Sequence, residues 1–282
     1  MQKKTALVTG GTSGIGHSTA VLLAKKGYDV FILGRSPEAC ERVVAELGRA
    51  GPGGKYGYYV CDLLSQKQIR QTAEAIRLAH DRLDVLVNNA GGVFPSRQLT
   101  GEGLEKTFAL NHLAYFTLTR ELLSLLQPAP DPRIVCVSSN SHLKGKIEWD
   151  NLQGEKDYFI MSQYENTKLM NVLFVKELSR RLTGTGITVN GLHPGVVKTK
   201  IGNKSQNPFF GTAWQVFSTL AGISEEKGAA TSVFLADSDA VRGITGGYYA
   251  NSAKSRVNPV AEDEAVAKKL WEISETLSAG TA

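Results

Sequence analysis

Short apolar runs alternate along this chain with longer stretches in which apolar residues recur at helical spacing. The first run, at residues 5–9, leads into a predicted helix over 15–26, and a second apolar run follows at 29–33. An apolar run, a helix and another apolar run form the pattern of a strand–helix–strand unit with parallel strands. The beginning of the chain therefore predicts a parallel α/β fold.

The same alternation continues to the end of the chain. Further strands are predicted at about 58–61, 84–87, 133–137, 188–192 and 248–249, and further helices at about 37–47, 65–79, 104–126, 159–182 and 261–277. The strands are apolar throughout, which is typical of a parallel sheet covered by helices on both faces. Since no repeat or linker divides the sequence, we predict one doubly wound domain over 1–282, with its C-terminal helix within 260–282.

The composition is that of an ordinary globular protein, because 42% of the 282 residues are hydrophobic and 21% are charged. The net charge of +5 is mild and no block of Lys and Arg occurs, so we expect no nucleic-acid partner. Cys40, Cys61 and Cys136 are too few and too scattered for a disulfide framework or a zinc site. We therefore expect no metal, and we predict that Cys61 and Cys136 are buried thiols.

The sequence shows no apolar stretch of the roughly 18 residues that would suggest a membrane span. Its N-terminus enters an apolar run almost at once, which leaves no room for a signal peptide. We therefore expect a cytoplasmic protein without a membrane span.

A glycine-rich segment, TGGTSGIG at 9–16, connects the first predicted strand to the first helix. Gly10, Gly14 and Gly16 allow a sharp turn and a close approach of the backbone to a pyrophosphate. The helix beyond them offers free N–H groups and a favourable dipole. The alternative is a glycine-rich turn that binds nothing, because a single glycine motif is weak evidence. We interpret the segment as the phosphate loop of a dinucleotide site.

Arg35 lies 19 residues beyond Gly16, at the end of the second predicted strand. Dinucleotide folds usually place an acidic residue there to accept a hydrogen bond from the ribose 2′-hydroxyl of NAD. A guanidinium cannot accept that bond but suits a 2′-phosphate, to which Ser13 and Ser36 would add hydroxyl donors. Although a solvated surface Arg is the alternative, the pattern predicts NADP(H) in preference to NAD(H).

Tyr164 and Lys168 lie four residues apart in a predicted helix, so both side chains lie on one face. A nearby positive charge lowers a tyrosine pKa from about 10 and makes the group useful in proton transfer. Alone, such a pair is more often part of an amphipathic face. Ser139 ends a predicted strand where ligands bind, and Asn111 interrupts an apolar stretch. Both favour the catalytic interpretation, although Ser139 as a cap and Asn111 as a helix amide are alternatives.

The sequence resembles the short-chain dehydrogenase/reductase family over nearly its whole length. The resemblance rests on ordered landmarks: TGGTSGIG at 9–16, CDL at 61–63, NNAG at 88–91, Asn111, VSS at 137–139, Tyr164, Lys168 and HPG at 193–195. It implies an α/β, Rossmann-like, doubly wound, seven-stranded parallel sheet in three α/β/α layers. It also implies a catalytic tetrad of Asn111, Ser139, Tyr164 and Lys168.

The resemblance further implies the contacts of the cofactor. Asp62 and Leu63 would flank the adenine, Asn89 would lie against its ribose, and Lys168 would bind the nicotinamide ribose. The full expected set of cofactor-binding residues is Gly10, Thr12, Ser13, Gly14, Ile15, Gly16, Arg35, Ser36, Asp62, Leu63, Asn89, Ala90, Gly91, Tyr164, Lys168, Pro194, Gly195, Val197 and Thr199.

Within the family, NLQGEK at 151–156 and the segment 164–182 are similar to the retinol dehydrogenase branch. The membrane-bound members of that branch carry an apolar N-terminal anchor, which we do not expect here, and His17 stands where Lys, Arg or another residue is common. The expected substrate-specificity region is 196–223, where Phe209, Phe210, Trp214 and Phe217 either line an apolar pocket or pack against the sheet. Tyr158 and Met161 are further pocket candidates. Family likeness also suggests a homodimer or homotetramer.

We therefore expect an NADP(H)-dependent oxidoreductase that transfers a hydride between nicotinamide and a carbonyl or alcohol carbon of a small, apolar substrate. The expected groups include retinoids, steroids, aldehydes and ketones. One alternative is a catalytically silent NADP(H)-binding sensor or scaffold. Another is a nucleotide-sugar epimerase or dehydratase, for which the roughly 80 residues beyond His193 leave little room.

Overall fold

One eight-stranded sheet forms the centre of the structure, a computed structural model that describes residues 3–195 and 224–279. Its spatial order is β3-β2-β1-β4-β5-β6-β7-β8. The strands are β1 (Thr5–Thr9), β2 (Asp29–Gly34), β3 (Tyr56–Val60), β4 (Val85–Asn88), β5 (Arg133–Val137), β6 (Thr188–Leu192), β7 (Tyr248–Ala250) and β8 (Ala253–Lys254). The first seven strands pair in parallel, which confirms the predicted doubly wound α/β sheet.

The seven parallel strands agree with the expected sheet, and a short eighth strand extends it. β8 pairs antiparallel with β7 after a tight turn at Asn251 and Ser252, whose φ angles are 49° and 59°. Its two residues are exposed and too few to show any periodicity. The strand was therefore not predictable from the pattern of apolar residues.

The helices cover both faces of the sheet. They are α1 (Gly14–Lys25), α2 (Pro37–Ala50), α3 (Gln66–Ala79), α4 (Lys106–Phe108), α5 (Ala114–Leu126), α6 (Ile160–Arg181), α7 (Glu225–Asp237) and α8 (Glu264–Ala279). The sequence pattern missed α7, because small residues such as Gly228 and Ala229 supply much of its buried face and give no strong apolar period.

Two hydrophobic cores lie on opposite faces of the sheet, as the alternation along β1 shows. Leu7 points into the core formed with α3, α5, α6 and α8, whereas Ala6 and Val8 point into the core formed with α1, α2 and α7. A fully buried Leu side chain contributes roughly 2 kcal/mol by leaving water. The three-layer α/β/α arrangement follows from these two cores.

The predicted helix over 104–126 contains a π turn. The described helix runs from α4 through a π-helical segment, Ala109–Leu113, into α5. Its beginning lies after Glu105, which caps the N-terminus. Asn111 lies in the π turn, a feature that often marks functional sites within helices.

The strand order reverses between β1 and β4, so the carboxyl ends of these strands flank a topological switch point. The glycine loop follows β1, NNAG begins in β4 and continues beyond it, and VSS begins in β5 and continues beyond it. The fold therefore brings the predicted motifs to one edge of the sheet.

Candidate active site

The glycine loop is shaped by positions that exclude a side chain. Gly10 and Gly14 have positive φ angles of 65° and 60°. At Gly16 an added Cβ would lie 2.3 Å from Asn89 Nδ2 and 2.4 Å from the Gly10 carbonyl oxygen. Because these distances are far below van der Waals contact, the loop and the first turn of α1 can pack this closely only with glycine.

The N-terminus of α1 fits a phosphate group. Ser13 is extended, and its side chain makes no capping hydrogen bond. The first N–H groups of a helix have no intrahelical acceptor, and the dipole favours an anion there. The loop therefore offers backbone donors for the pyrophosphate of a dinucleotide. His17, one residue beyond Gly16, bonds Glu46 at 2.9 Å through its Nε2 and thereby links α1 to α2.

Thr9 joins the end of β1 to the NNAG segment, a role that the sequence analysis missed. Its Oγ1 accepts hydrogen bonds from the N–H groups of Asn89, at 2.8 Å, and Ala90, at 3.0 Å. Asn89 Nδ2 donates back to the Thr9 carbonyl at 2.9 Å. Asn89 and Ala90 are therefore held beside the glycine loop.

Arg35 and Ser36 follow β2 and differ in what they can offer a ligand. Arg35 is exposed and makes no ion pair within the described part of the chain. Ser36 caps α2 by accepting from the N–H of Ala39 at 3.2 Å, while its hydroxyl donates to Glu38 at 2.6 Å. Arg35 is therefore the available cation at this edge, whereas the Ser36 hydroxyl already has partners.

Asp62 and Leu63 follow β3 at the same edge of the sheet. Leu63 is buried, and Asp62 Oδ1 accepts a hydrogen bond from the N–H of Leu64 at 3.1 Å. This local bond fixes the turn that carries both residues.

Lys168 lies beneath the carboxyl end of β5. It is 4% exposed, its Nζ donates to the Val137 carbonyl oxygen at 3.3 Å, and it lies 5.7 Å from the centroid of the Tyr164 ring. Burial lowers the pKa of Lys168 to about 8, because the charged ammonium loses its hydration. The ammonium is therefore close to the ring of the predicted acid.

Tyr164 lies close to Ser139, another member of the expected tetrad. Burial raises the pKa of Tyr164, and a side-chain hydrogen bond with Ser139 lowers it. The net direction is upward, which corrects the expectation of a lowered pKa: burial outweighs the other contributions, so the phenol keeps its proton at neutral pH. The protonated phenol is the form that a general acid requires.

Ser139 is both a cap and a neighbour of Tyr164. Its Oγ accepts from the N–H of Ser141 at 3.2 Å, and its carbonyl oxygen receives hydrogen bonds from His142 Nδ1 at 2.7 Å and Tyr248 Oη at 3.2 Å. Because the carbonyl accepts, the His142 proton is assigned to Nδ1. The cap interpretation of Ser139 is therefore correct and does not exclude its contact with Tyr164.

Asn111 is fully buried and makes three hydrogen bonds through its amide. Its Oδ1 accepts from the Gly92 N–H at 2.8 Å, while its Nδ2 donates to the Gly92 carbonyl at 2.9 Å and to Thr167 Oγ1 at 3.1 Å. The amide thus ties Gly92, the residue after NNAG, to α6.

Several predicted residues lie at or beyond the limits of the described chain. Pro194 and Gly195 are the last residues before the gap, and Gly195 donates its N–H to His193 Nδ1 at 3.2 Å. Val197, Thr199 and the specificity region 196–223 lie outside the described residues. Tyr158 is half-buried, with its hydroxyl bonded to the Phe94 carbonyl oxygen at 2.9 Å.

Other expectations concern metals, thiols and membranes. All three cysteines are buried and free, which confirms the prediction for Cys61 and Cys136. Within 3–195 and 224–279, no group of three His, Cys, Asp or Glu residues could hold a metal ion. None of the helices in these ranges has the length and apolar character needed to cross a membrane.

The family model for short chain dehydrogenases matches residues 4–208 of the 282. The chain belongs to the short-chain dehydrogenase family. It is accordingly an oxidoreductase that acts on alcohol and carbonyl groups with a nicotinamide cofactor.

Among curated relatives, this short-chain dehydrogenase is 40% identical to retinol dehydrogenase 14 of Mus musculus, with 98% of this chain and 86% of the relative covered. It is 37% identical to retinol dehydrogenase 13 of Homo sapiens, with 95% and 82% covered. These relatives support the expected similarity to the retinol dehydrogenase branch.

Solved structures have the same fold. An uncharacterised protein from Mycobacterium paratuberculosis superposes with a TM-score of 0.78 at 27% identity, over 98% of this chain and 94% of that one. The RhlG protein of Pseudomonas aeruginosa, in an NADP active-site complex, has a TM-score of 0.69 at 27% identity, over 87% and 93%.

Proposed function

We propose that this enzyme is an NADP(H)-dependent reductase and dehydrogenase of bulky apolar carbonyl and alcohol compounds, with Asn111, Ser139, Tyr164 and Lys168 as its catalytic set. One observation carries the assignment. Tyr164 and Ser139 are close together, and the Nζ of the buried Lys168 lies 5.7 Å from the centroid of the Tyr164 ring, at the carboxyl end of β5. A proton donor, an oxyanion partner and a cation therefore meet where the fold binds ligands.

Tyr164 acts as general acid when a carbonyl is reduced. Its raised pKa keeps the phenol protonated, and Ser139 donates a second hydrogen bond to the carbonyl oxygen, on which negative charge develops. Lys168 stabilises the phenolate left after proton transfer. Asn111 positions the Gly92 backbone and, through Thr167, the helix that carries Tyr164 and Lys168. Alcohol oxidation uses the same groups in reverse.

The cofactor fits the residues at the adjoining edge. The glycine loop and the α1 N-terminus would hold the pyrophosphate, Asn89 would lie against the adenosine ribose, and Lys168 would bind the nicotinamide ribose. When bound, NADPH supplies the hydride. Arg35 supports NADPH over NADH, because it is the exposed cation where a 2′-phosphate would lie and no carboxylate of the described chain neutralises it.

The apolar substrate class is supported by the relatives and by one exposed aromatic residue next to the catalytic helix. The curated relatives are named retinol dehydrogenases. Phe159, which precedes α6 and lies five residues before Tyr164, is 68% exposed. An exposed large aromatic side chain at this position is consistent with contact to an apolar substrate.

A turnover assay tests the proposal. Purified enzyme is given NADPH with a panel of retinal, steroid ketones, aliphatic aldehydes and quinones, and NADH is run in parallel. We expect one NADPH consumed for each alcohol formed, with the highest kcat/KM for a bulky apolar substrate. A silent sensor consumes no NADPH and an epimerase recycles it, so absence of stoichiometric consumption over the panel contradicts the proposal.

The free cysteines agree with a reducing compartment, and we propose the cytoplasm as the location. Fractionation of cells that express the chain from its own gene tests this point. Recovery with an organelle or membrane fraction contradicts it.

A further inference from the structure

A buried carboxylate lies close to the catalytic helix and takes no part in the mechanism above. Glu105 is 0% exposed and caps the N-terminus of α4, just before the π turn that carries Asn111. Taking a charge out of water is costly unless hydrogen bonds replace the water. The contacts of this carboxylate therefore show what it stabilises.

Three N–H donors and one hydroxyl lie around the two oxygens of Glu105. The N–H groups of Thr107 and Phe108 donate at 2.7 and 2.8 Å, Gln163 Nε2 donates at 2.9 Å, and Tyr158 Oη lies at 3.3 Å. An ionised carboxylate accepts hydrogen bonds only, and these donors satisfy that requirement. Two of the N–H donors come from the helix N-terminus and the third comes from α6, while the hydroxyl proton of Tyr158 goes to the Phe94 carbonyl oxygen at 2.9 Å.

Gln163 carries the contact to the catalytic helix. It is 4% exposed, lies in the first turn of α6 and directly precedes Tyr164. The second proton of its Nε2 bonds the Leu152 carbonyl oxygen at 3.1 Å, and Gln153 Oε1 accepts from the N–H of Glu105 at 2.9 Å. Glu105 thus joins the helix that carries Asn111, the first turn of α6 and the 151–158 loop.

Two connections therefore link the same pair of helices on either side of Tyr164. Glu105 bonds Gln163, one residue before it, and Asn111 bonds Thr167, three residues after it. A side chain bracketed by two such bonds is restricted in position relative to Asn111. Proton transfer is sensitive to the position of the donor, since a shift of about 1 Å can lower the rate about a hundredfold.

We propose that Glu105 is a positioning residue, which holds Tyr164 in place through its hydrogen bond to Gln163. It touches no reacting atom, and its role rests on the proposed function of Tyr164 as the acid. The charge of Glu105 matters because Gln163 and the helix N-terminus each present donors to it. A glutamine at this position would place its NH2 group against one of these N–H donors, so one hydrogen bond would be lost.

The first test compares Glu105→Gln with a matched control, Glu102→Gln. The Glu102 carboxylate likewise accepts from helix N–H groups, those of Gln66 at 2.8 Å and Lys67 at 3.0 Å, but it lies at the start of α3 and contacts neither α6 nor Gln163. At saturating NADPH and ketone we expect kcat to fall about ten- to hundredfold in Glu105→Gln and to stay unchanged in Glu102→Gln. NADPH titration counts the folded sites in each variant.

The second test exchanges the partners. Gln163→Glu places two carboxylates together and should lower kcat more than Glu105→Gln does. The double variant, Glu105→Gln with Gln163→Glu, restores a carboxylate–amide pair and should recover part of the lost kcat. A purely structural role predicts no such recovery. If Glu105→Gln does not fold, Gln163→Met, which leaves the helix cap intact, tests the same contact through the same fall in kcat at unchanged NADPH affinity.

Wild-type kcat in folded Glu105→Gln, equal losses in Glu105→Gln and Glu102→Gln, or no recovery in the exchanged pair would each overturn the positioning role. Failure of the proposed function gives a different result, namely a Tyr164→Phe enzyme that remains active.

Discussion

The cofactor edge and the catalytic helix of this enzyme are built in opposite ways. At the cofactor edge the essential feature is missing side chains, since Gly16 packs against Asn89 and the Gly10 backbone at distances that exclude a Cβ. Along α6 the essential feature is buried polar side chains that bond to one another, as Asn111 does with Thr167. Damage to the first region should abolish binding, whereas damage to the second should lower turnover while binding persists.

Gly16→Val should have the largest effect. The new side chain would overlap Asn89 and the Gly10 carbonyl, so the loop cannot keep its conformation. We expect NADPH binding to weaken by about a thousandfold or more, since several charge-assisted hydrogen bonds of roughly 2 kcal/mol each depend on it. Fluorescence titration with NADPH measures this. Gly48→Val, where no atom lies within 4 Å of an added Cβ, is the control. Equal NADPH affinity in Gly16→Val and Gly48→Val would contradict the role given to the glycine loop.

The buried Lys168 should make stability depend on pH. Its pKa is about 8 in the folded protein and 10.5 when unfolded, so burial of the charged form destabilises the fold below pH 8. That penalty disappears as pH rises from about 8 to 10.5, which should stabilise the cofactor-free wild type by about 3 kcal/mol relative to Lys168→Met.

Denaturant unfolding of both proteins across this pH range measures the difference. Groups that do not interact with Lys168 contribute equally to both proteins and cancel. A loss of wild-type stability relative to Lys168→Met as pH rises would contradict this prediction.

Arg35→Ala should act on binding alone. Loss of a charge-assisted contact to the 2′-phosphate costs roughly 1.5–3 kcal/mol, so NADPH affinity should fall by about ten- to a hundredfold while NADH affinity stays constant. Parallel titrations with the two cofactors measure this. Arg49→Ala, on the exposed end of α2, is the matched control. An equal loss of NADH affinity would show that Arg35 does not contact the 2′-phosphate.

Thr167→Val should have the smallest effect and appear in turnover. It removes the hydroxyl that bonds Asn111 but keeps the shape of the side chain, at a cost of about 1 kcal/mol. We expect a fall in kcat of about fivefold at unchanged NADPH affinity. Steady-state kinetics at saturating cofactor measure it. A weaker NADPH affinity at unchanged kcat would contradict this prediction, because it would show that the Thr167–Asn111 contact serves cofactor binding.

The same difference explains what could be predicted from the sequence. The glycines of the loop and the strand–helix alternation leave local patterns, so the fold and the cofactor edge were predictable. Tyr164 and Lys168 were accessible because one helix carries both. The contacts of Tyr248 with Ser139 and of Glu105 with Gln163 join residues 109 and 58 positions apart, and no local pattern records such pairs.

Glu105 left one signal in the sequence: an acidic residue directly before a helix start is a capping pattern. The pattern does not reveal that the same carboxylate would also bond the catalytic helix. The π turn likewise leaves no pattern in the sequence, because its residues keep the apolar spacing of an ordinary helix.

The most direct test of the central claim is the rate of NADPH oxidation in Tyr164→Phe, measured in a single turnover with the preferred carbonyl substrate. The account predicts that the variant binds NADPH as tightly as the wild type but reduces the carbonyl about a hundred- to ten-thousandfold more slowly. Reduction at the wild-type rate would contradict it.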